Sequence, residues 1–500
     1  ACLTVGDAGA AVILDRSPDT RYGFHEFDMY TVGRYYDLCI AKPSDKQNSG
    51  AIMYTDAVRV SAVNIQQAVS HAAHIIERSG WSQEAFQHIV MHQTSKMTIY
   101  DAGREINTYF GKELCNEQNL INNIAERGNT ATTTHTVALM DHIRNGDIRS
   151  DSNVIFGITG SGVNIGTAIY TFDDLPDRLR RSTSGEWRPE KVKPTERITP
   201  LLPSTRRVQV ESIGTFPLDA PEKRETLEMV RVAAEHCFAN SSHEKKDIDL
   251  LIYAGIYRDE YISEPAIAAM VAGTLDINAD VESQSDKKTF SFDLFNGSTG
   301  FLDACYTSIA MMQGHQVKTA MVVASEVENN REVLPTSLRG IEETASIVLL
   351  DESKDGQTGF GNFVFKHFTD YLESLNTYTT HVNGRIGLHI EQDPLLERYY
   401  RQCIEETVRE LLRVEQLDIS DIKLIVPPQI SSSFIDGLSE TLSVGRKRFV
   451  DVHAEHDLFT SSTAFGLQQV REKGLAKSGD IGLIIEVGAG IQVACATYHF

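Results

Sequence analysis

One stretch of this chain occurs twice. HIVMHQTS at residues 88–95 reappears as LIVPPQIS at 424–431, 336 positions further on, and the same offset carries GDAGAAVILD at 6–15 onto EETASIVLLD at 342–351. Toward the two ends the offset is 328: Gly160, Ser161, Gly162 and Phe172 fall on Gly488, Ala489, Gly490 and Phe500. A repeat of this size obliges both copies to build the same kind of core. The copies are not chemically equal, because His92 of the first becomes Pro428 in the second. Imidazole donates, accepts and titrates near neutrality, whereas proline has no proton to exchange. The first copy is thus equipped for chemistry that the second is not.

Strand-like apolar runs alternate with helical patterns in both copies. Residues 250–255 and 319–325 read as strands, 265–273 and 398–412 as helices, and each copy closes on a Gly-x-Gly turn feeding a last strand. Such alternation predicts an α/β fold with sheets buried between helices. Between the copies, residues 173–207 hold five of the chain's 14 prolines among mixed charges, which predicts a surface linker without regular structure. The domain limits follow: 1–175, a linker at 176–205, and 206–500. The second copy has residues 206–341 ahead of its shared segment and the first has only five. On that reading the first copy is the back half of a domain, and a half sheet exposes an edge and an apolar face.

Composition removes several classes of function. A net charge of −22 argues against nucleic acid or an anionic membrane as the main partner, and would make an acidic carrier protein depend on a local basic patch. No apolar run is long enough to span a bilayer, and the first residues lack the basic flank and cleavage site of a signal peptide, so a cytoplasmic location is expected. The seven cysteines are scattered, with no CxxC pair and no zinc spacing, which predicts buried free thiols and no metal; Cys2 is read the same way.

The order of short motifs in the first copy (Gly6-Asp-Ala-Gly9, His92-Gln93, Gly128-Asn129-Thr130, Gly160-Ser161-Gly162) resembles the thiolase-fold condensing enzymes, most closely beta-ketoacyl-acyl-carrier-protein synthase III. Thr94-Ser95 and Ser161 are mild departures from the family pattern. The resemblance implies a five-layered α-β-α-β-α fold, present here as one half domain and one complete but degenerate domain. It implies a decarboxylative Claisen condensation through an acyl-cysteine, with substrates on coenzyme A or acyl carrier protein and no cofactor. His92 and Asn129 would be the neutral donors that stabilise the enolate oxygen. A Gly-Asn pair suits many turns, but here both residues occur in family order within a repeat. Gly160, Ser161 and Gly162 would line the pocket.

The cysteine nucleophile of the first copy is not in this chain and would belong to the missing half. In the second copy FDLFNGSTGF at 292–301 resembles the nucleophile segment with Ser298 in the cysteine's place, the histidine position is Pro428, and no asparagine follows Asn383. These losses predict a pseudo-enzyme. His453, Glu455, His456 and Asp457 offer Ser298 an alternative His-Asp system, although a charged loop is usually solvated surface. Cys305 should face the core. The family works as dimers in which a partner loop shapes the acyl pocket, so the second copy would hold the partner's place in a pseudo-twofold assembly, with Tyr261 or Ile262 at the pocket. Lys96 and Arg104, on the helix after His92, are the candidate carrier-protein contacts. The alternatives to condensation are an ester- or amide-forming acyltransferase of the same fold and a non-catalytic partner subunit. In every case a polypeptide or upstream segment supplying the front half and the cysteine is expected.

Overall fold

The computed structural model describes residues 5–15, 17, 19–44, 46, 50–185, 207–220, 225–279, 287–314, 316–329, 341–382 and 384–500. Cys2 and the linker beyond Gly185 lie outside them. By its contacts the chain divides into two units, residues 1–39 with 53–197, and 40–52 with 198–500.

The first unit is built on strand β1 (Gly23–Thr31), part of the ribbon β2 (Cys39–Pro43) and β3 (Ala51–Thr55), helix α1 (Ala57–Ser79), β4 (His88–Met91), α2 (Lys96–Phe110), the short α3 (Ile124–Arg127), α4 (Thr134–Asn145), β5 (Asn153–Gly160), β6 (Asn164–Thr171) and α5 (Leu175–Thr183). Its sheet runs β1-β6-β5-β4, with only β4 and β5 parallel. Buried positions of α1 (Val69, His71, Ile75, Ile76) serve one face of the sheet, and Ala138 and Ile143 of α4 join Val90, Val154 and Phe172 on the other. Helix α5 corrects the expectation of an irregular linker from 173 onward. Pro176 sits in the first turn, where its missing N–H costs nothing, and Leu175 and Leu179 pack against the core beneath α4.

The second unit continues with β7 (Val208–Thr215), α6 (Thr226–Ala239), β8 (Leu250–Tyr253), α7 (Ile267–Leu275), β9 (Phe290–Asp293), α8 (Gly300–Gln313), β10 (Ala320–Glu326), β11 (Thr344–Glu352), β12 (Gly359–His367), β13 (Leu375–Val382), β14 (Arg385–Gln392), α9 (Leu396–Glu415), β15 (Ile422–Val426), α10 (Ser432–Thr441), α11 (Ser462–Lys473), β16 (Ile481–Gly488) and β17 (Gln492–His499). Besides the two-stranded β13-β14 pair, its described residues form two larger sheets, β7-β11-β10-β8-β9 and β12-β17-β16-β15. Apolar faces of α8 and α11 fill the space between them, α9 and α10 cover the outer face of the second sheet, and α6 and α7 pack on the first. The result is the five-layered α/β arrangement expected.

The four-stranded sheets of the two units have the same order, and the repeat aligns them strand for strand: β1 with β12, β6 with β17, β5 with β16, β4 with β15. The first unit has no counterpart of the five-stranded sheet among its described residues, and the segment 6–15, which the repeat aligns with the inner strand β11, forms no strand. All six cysteines among the described residues are free and buried, Cys305 with them. No described helix is long and apolar enough to cross a membrane.

Candidate active site

His92 leaves the C-terminal end of β4, where the neighbouring parallel strand holds it by a hydrogen bond from its N–H to the Gly157 carbonyl at 3.2 Å. Three residues later Ser95 caps α2 by accepting from the Thr98 N–H at 3.1 Å, which turns the chain away from the sheet and leaves His92 at the strand's end. The next side chain, Gln93, is fully buried and acts as a clamp. Its amide donates to the carbonyls of Met91 (2.8 Å) and Ile121 (3.2 Å), and its carbonyl accepts from the Asn123 N–H at 3.1 Å. The strand end is thereby tied to the loop that becomes α3, and a paired Arg127–Asp141 contact of 2.8 and 2.7 Å fixes α3 to α4.

From α3 the chain passes through Gly128 (φ 69°) to Asn129. The Asn129 carbonyl accepts from the Gly6 N–H at 2.9 Å, and its side-chain oxygen accepts from the Ala131 N–H at 2.9 Å. Gly6 is required there, since a Cβ would stand 1.8 Å from the Arg127 carbonyl oxygen. Held this way, the Asn129 side chain comes near enough to the His92 imidazole to favour its protonated form. The two residues read from the sequence as partners do meet.

A third residue, His135 in the first turn of α4, escaped sequence reasoning. Its Nε2 donates to the same Gly157 carbonyl at 3.0 Å, and its ring lies 6.1 Å from that of His92, edge to face. Burial is the main cause that lowers the pKa of both histidines; for His92 the neighbouring His135 adds to it and the Asn129 side chain opposes it, leaving about 4. His92 is therefore neutral at physiological pH and can offer a donor to a developing oxyanion without a fixed charge. Gly160, Ser161 and Gly162 form the turn from β5 to β6, three residues beyond Gly157. Lys96 and Arg104 lie on α2; Lys96 approaches the Tyr100 ring (5.7 Å) and Arg104 pairs with Asp101.

In the second unit the same scaffold carries different side chains. Gln429 repeats the clamp, donating to Pro427 (3.0 Å) and Val450 (3.1 Å) and accepting from the Val452 N–H (2.9 Å), and Ser431 caps α10 as Ser95 caps α2. Pro428 stands at the histidine position. The asparagine position is Asp457, whose carbonyl accepts from Glu342 N–H and whose carboxylate accepts from Phe459 N–H, both at 2.9 Å, as Asn129 does with Gly6 and Ala131. Burial pushes the Asp457 carboxyl up to about 7. The 328 offset maps Asn129 onto Asp457 and His135 onto Thr463, a signal already present in the sequence.

Ser298 lies just ahead of α8, buried, with its hydroxyl donating to the Val487 carbonyl. His453 is largely exposed and its ring sits against Asp451 (3.1 Å) and Ser432 (3.4 Å). Glu455 and His456 are exposed as well. The alternative serine system is not assembled. Tyr261, with its hydroxyl on the Leu388 backbone, and Ile262 follow the buried Arg258–Asp293 ion pair of 2.6 Å, in a loop whose Ser263 and Glu264 bond Ala41.

Two stretches, residues 76–172 and 412–500, match the family model described as 3-oxoacyl-[acyl-carrier-protein (ACP)] synthase III C terminal. The beta-ketoacyl-[acyl-carrier-protein] synthase III of Rickettsia typhi is 24% identical over 314 residues, covering 62% of this chain and 95% of its own length, and that of Clostridium beijerinckii is 24% identical over 328 with the same coverage. Among solved structures, 3-oxoacyl-[acyl-carrier-protein] synthase III of Aquifex aeolicus (16% identity, TM-score 0.50) and OleA of Xanthomonas campestris with bound lauric acid and lauroyl-CoA (16%, 0.51) each match over 59% of this chain and their whole length. These likenesses establish the thiolase-like fold.

Proposed function

We propose that this chain, a relative of the 3-oxoacyl-acyl-carrier-protein synthase III condensing enzymes that carries their C-terminal region twice, performs a decarboxylative Claisen condensation at the His92–Asn129 site of its first copy. The observation that carries this reading is a neutral imidazole and a carboxamide brought near each other at the end of a parallel strand. Its counterpart in the second copy is a proline and an acid.

In the reaction, a cysteine thiolate from outside these 500 residues attacks an acyl thioester, forming acyl-cysteine and releasing the carrier thiol. A malonyl-type thioester then binds with its carbonyl oxygen toward His92 and Asn129. Loss of CO2 leaves an enolate whose negative oxygen those two donors stabilise. The enolate carbon attacks the acyl-cysteine, giving a β-ketoacyl thioester and returning the thiolate. The carriers are coenzyme A or acyl carrier protein. The second copy serves as the non-catalytic, partner-like half of a pseudo-twofold pair, and the cysteine comes with a front half supplied by another polypeptide or an upstream segment.

The test is to purify the complete assembly, supply acyl-CoA, and search for an acylated cysteine by mass spectrometry, then add malonyl-CoA or malonyl carrier protein. Acylation followed by β-ketoacyl product supports condensation. Acylation followed only by ester or amide product would move the assignment to the second kind of acyltransferase, and no acylation at all would leave a scaffold.

A further inference from the structure

At the N-terminal end of β15, the end opposite Pro428, lies a cavity of about 400 Å³. Pockets for small ligands run from roughly 300 Å³ upward. The buried Leu424, Phe449 and Val450 are its floor, and the more exposed Lys423, Lys447 and Arg448 form its rim with Ser420 and Leu475. β15 pairs with β16 through Ile422 opposite Ile481 and Leu424 opposite Gly482, so Lys423 is an extra residue without a partner across the ladder. A bulge of this kind re-aims a side chain. Arg448, in the turn Arg446–Arg448, donates through Nη2 to the Ile419 carbonyl at 2.7 Å, which holds its guanidinium in place. Arg446 of the same turn is taken up by Asp436 at 2.5 Å and by Asp451, whereas Lys423, Lys447 and Arg448 have no acidic partner among the described residues. A lone surface lysine is ordinarily just solvated, but the first copy shows that this packing does not call for three cations. Ile425 bridges Phe449 as Ile89 bridges Leu120, which sets Lys447 and Arg448 on Gln118 and Asn119. The 336 offset sets Ser420 and Lys423 on Glu84 and Gln87, and the glycines that end α11 and α4 set Leu475 on Asp147. The rim has three cations and no acid, and the matching positions have two acids and no cation.

We infer that this pocket binds a small phosphate ester, its phosphate oxygens held by Lys423, Lys447 and Arg448 and its organic part against Leu475 and the apolar floor. One guanidinium is enough to neutralise a carboxylate. Three cations lining one cavity suit an anion that carries about two charges at neutral pH, as a phosphate monoester does. Arginine offers such oxygens a planar fork, and the two lysines add mobile point charges. In a chain of net charge −22 an anion is repelled over most of the surface, so a basic cavity with apolar walls is where it collects. The site is independent of the condensation reading: it lies in the copy without His92, and binding there needs no cysteine.

Phenyl phosphate, inorganic phosphate and phenol, each titrated calorimetrically into the full chain at low salt, test this. Phenyl phosphate should bind at millimolar or lower concentration, inorganic phosphate about tenfold more weakly for want of the ring, and phenol not at all. Added salt should weaken both phosphates. Giving the rim the first copy's residues, by Lys423→Gln, Lys447→Gln and Arg448→Asn together, should weaken phenyl phosphate at least about 30-fold. Because Arg448 also holds Ile419, Lys423→Gln and Lys447→Gln are made singly as well, each costing about three- to tenfold in affinity with melting unchanged. Lys354→Gln, at an exposed lysine between β11 and β12, should cost nothing. With phenyl phosphate bound, deuterium exchange should slow at residues 420–424 and 446–450 and stay as it was at 84–88 and 117–121. No binding, equal binding by the triple variant, or protection confined to other segments would overturn the inference. Hexaglutamate binding more tightly than phenyl phosphate would overturn it too, in favour of a docking site for an acidic peptide.

Discussion

Protonating His92 must overcome the burial that holds its pKa at about 4, against about 6.5 in an unfolded chain. Between those values the unfolded state binds the proton and the folded state does not, so stability falls as the pH drops from about 6.5 to 4 and levels off below. The full effect is at most about 3 kcal/mol. His92→Gln should flatten that part of the pH–stability curve of the first unit in denaturant titrations, and should lower kcat of the assembly by about 10²–10³-fold, the usual cost of an oxyanion donor. Unchanged turnover would remove His92 from the chemistry. His92 and Asn129 were legible because a repeat set them beside a proline and because their order matched a family. His135 was not, since it sits in a run of threonines and its counterpart is a threonine, so neither composition nor the comparison of copies marked it. Asp457 was read as part of a surface charge cluster, although the 328 offset puts it on Asn129.

Buried acids distinguish the elements of the second unit. Glu326 at the end of β10, Asp457 ahead of α11 and Glu486 on β16 are pushed up to about 7, 7 and 8, each chiefly by desolvation, against hydrogen bonds that favour the carboxylate. Their unfolded values are about 4. Between the two, the unfolded chain has released protons that the folded one keeps, so this unit loses stability as pH rises from about 4 through 8. Thermal unfolding assigned to it should come at lower temperature at pH 8.5 than at pH 6, and Glu486→Gln should reduce the difference. A melting point that climbs over that range would contradict the burial argument. None of this was readable from sequence, where an acid in a strand looks like any other. The elements themselves were: strands and helices fell where the apolar patterning put them. Helix α5 was the exception, because proline was counted as a breaker without asking whether it stood in a first turn, the one place a helix accepts it.

At the scale of the whole molecule, the two copies share their packing and differ in the side chains of the site. Ser298→Ala should leave turnover of the complete assembly within about two-fold and cost about 1 kcal/mol or less, the worth of one hydrogen bond to Val487; a large fall with the fold intact would return the second copy to the catalytic machinery. The fold class was legible because the repeat forced two like cores. The Gln429 clamp carries a different message. A buried amide with every partner satisfied is costly to keep and easy to lose, yet it stands intact around a pocket with no histidine to position. Pro428→His restores an N–H as well as an imidazole at the strand end; with Asp457→Asn and Ser298→Cys it should make residues 207–500 acceptors of an acyl group from acyl-CoA, detectable as a mass increase on residue 298 where the unmodified chain shows none.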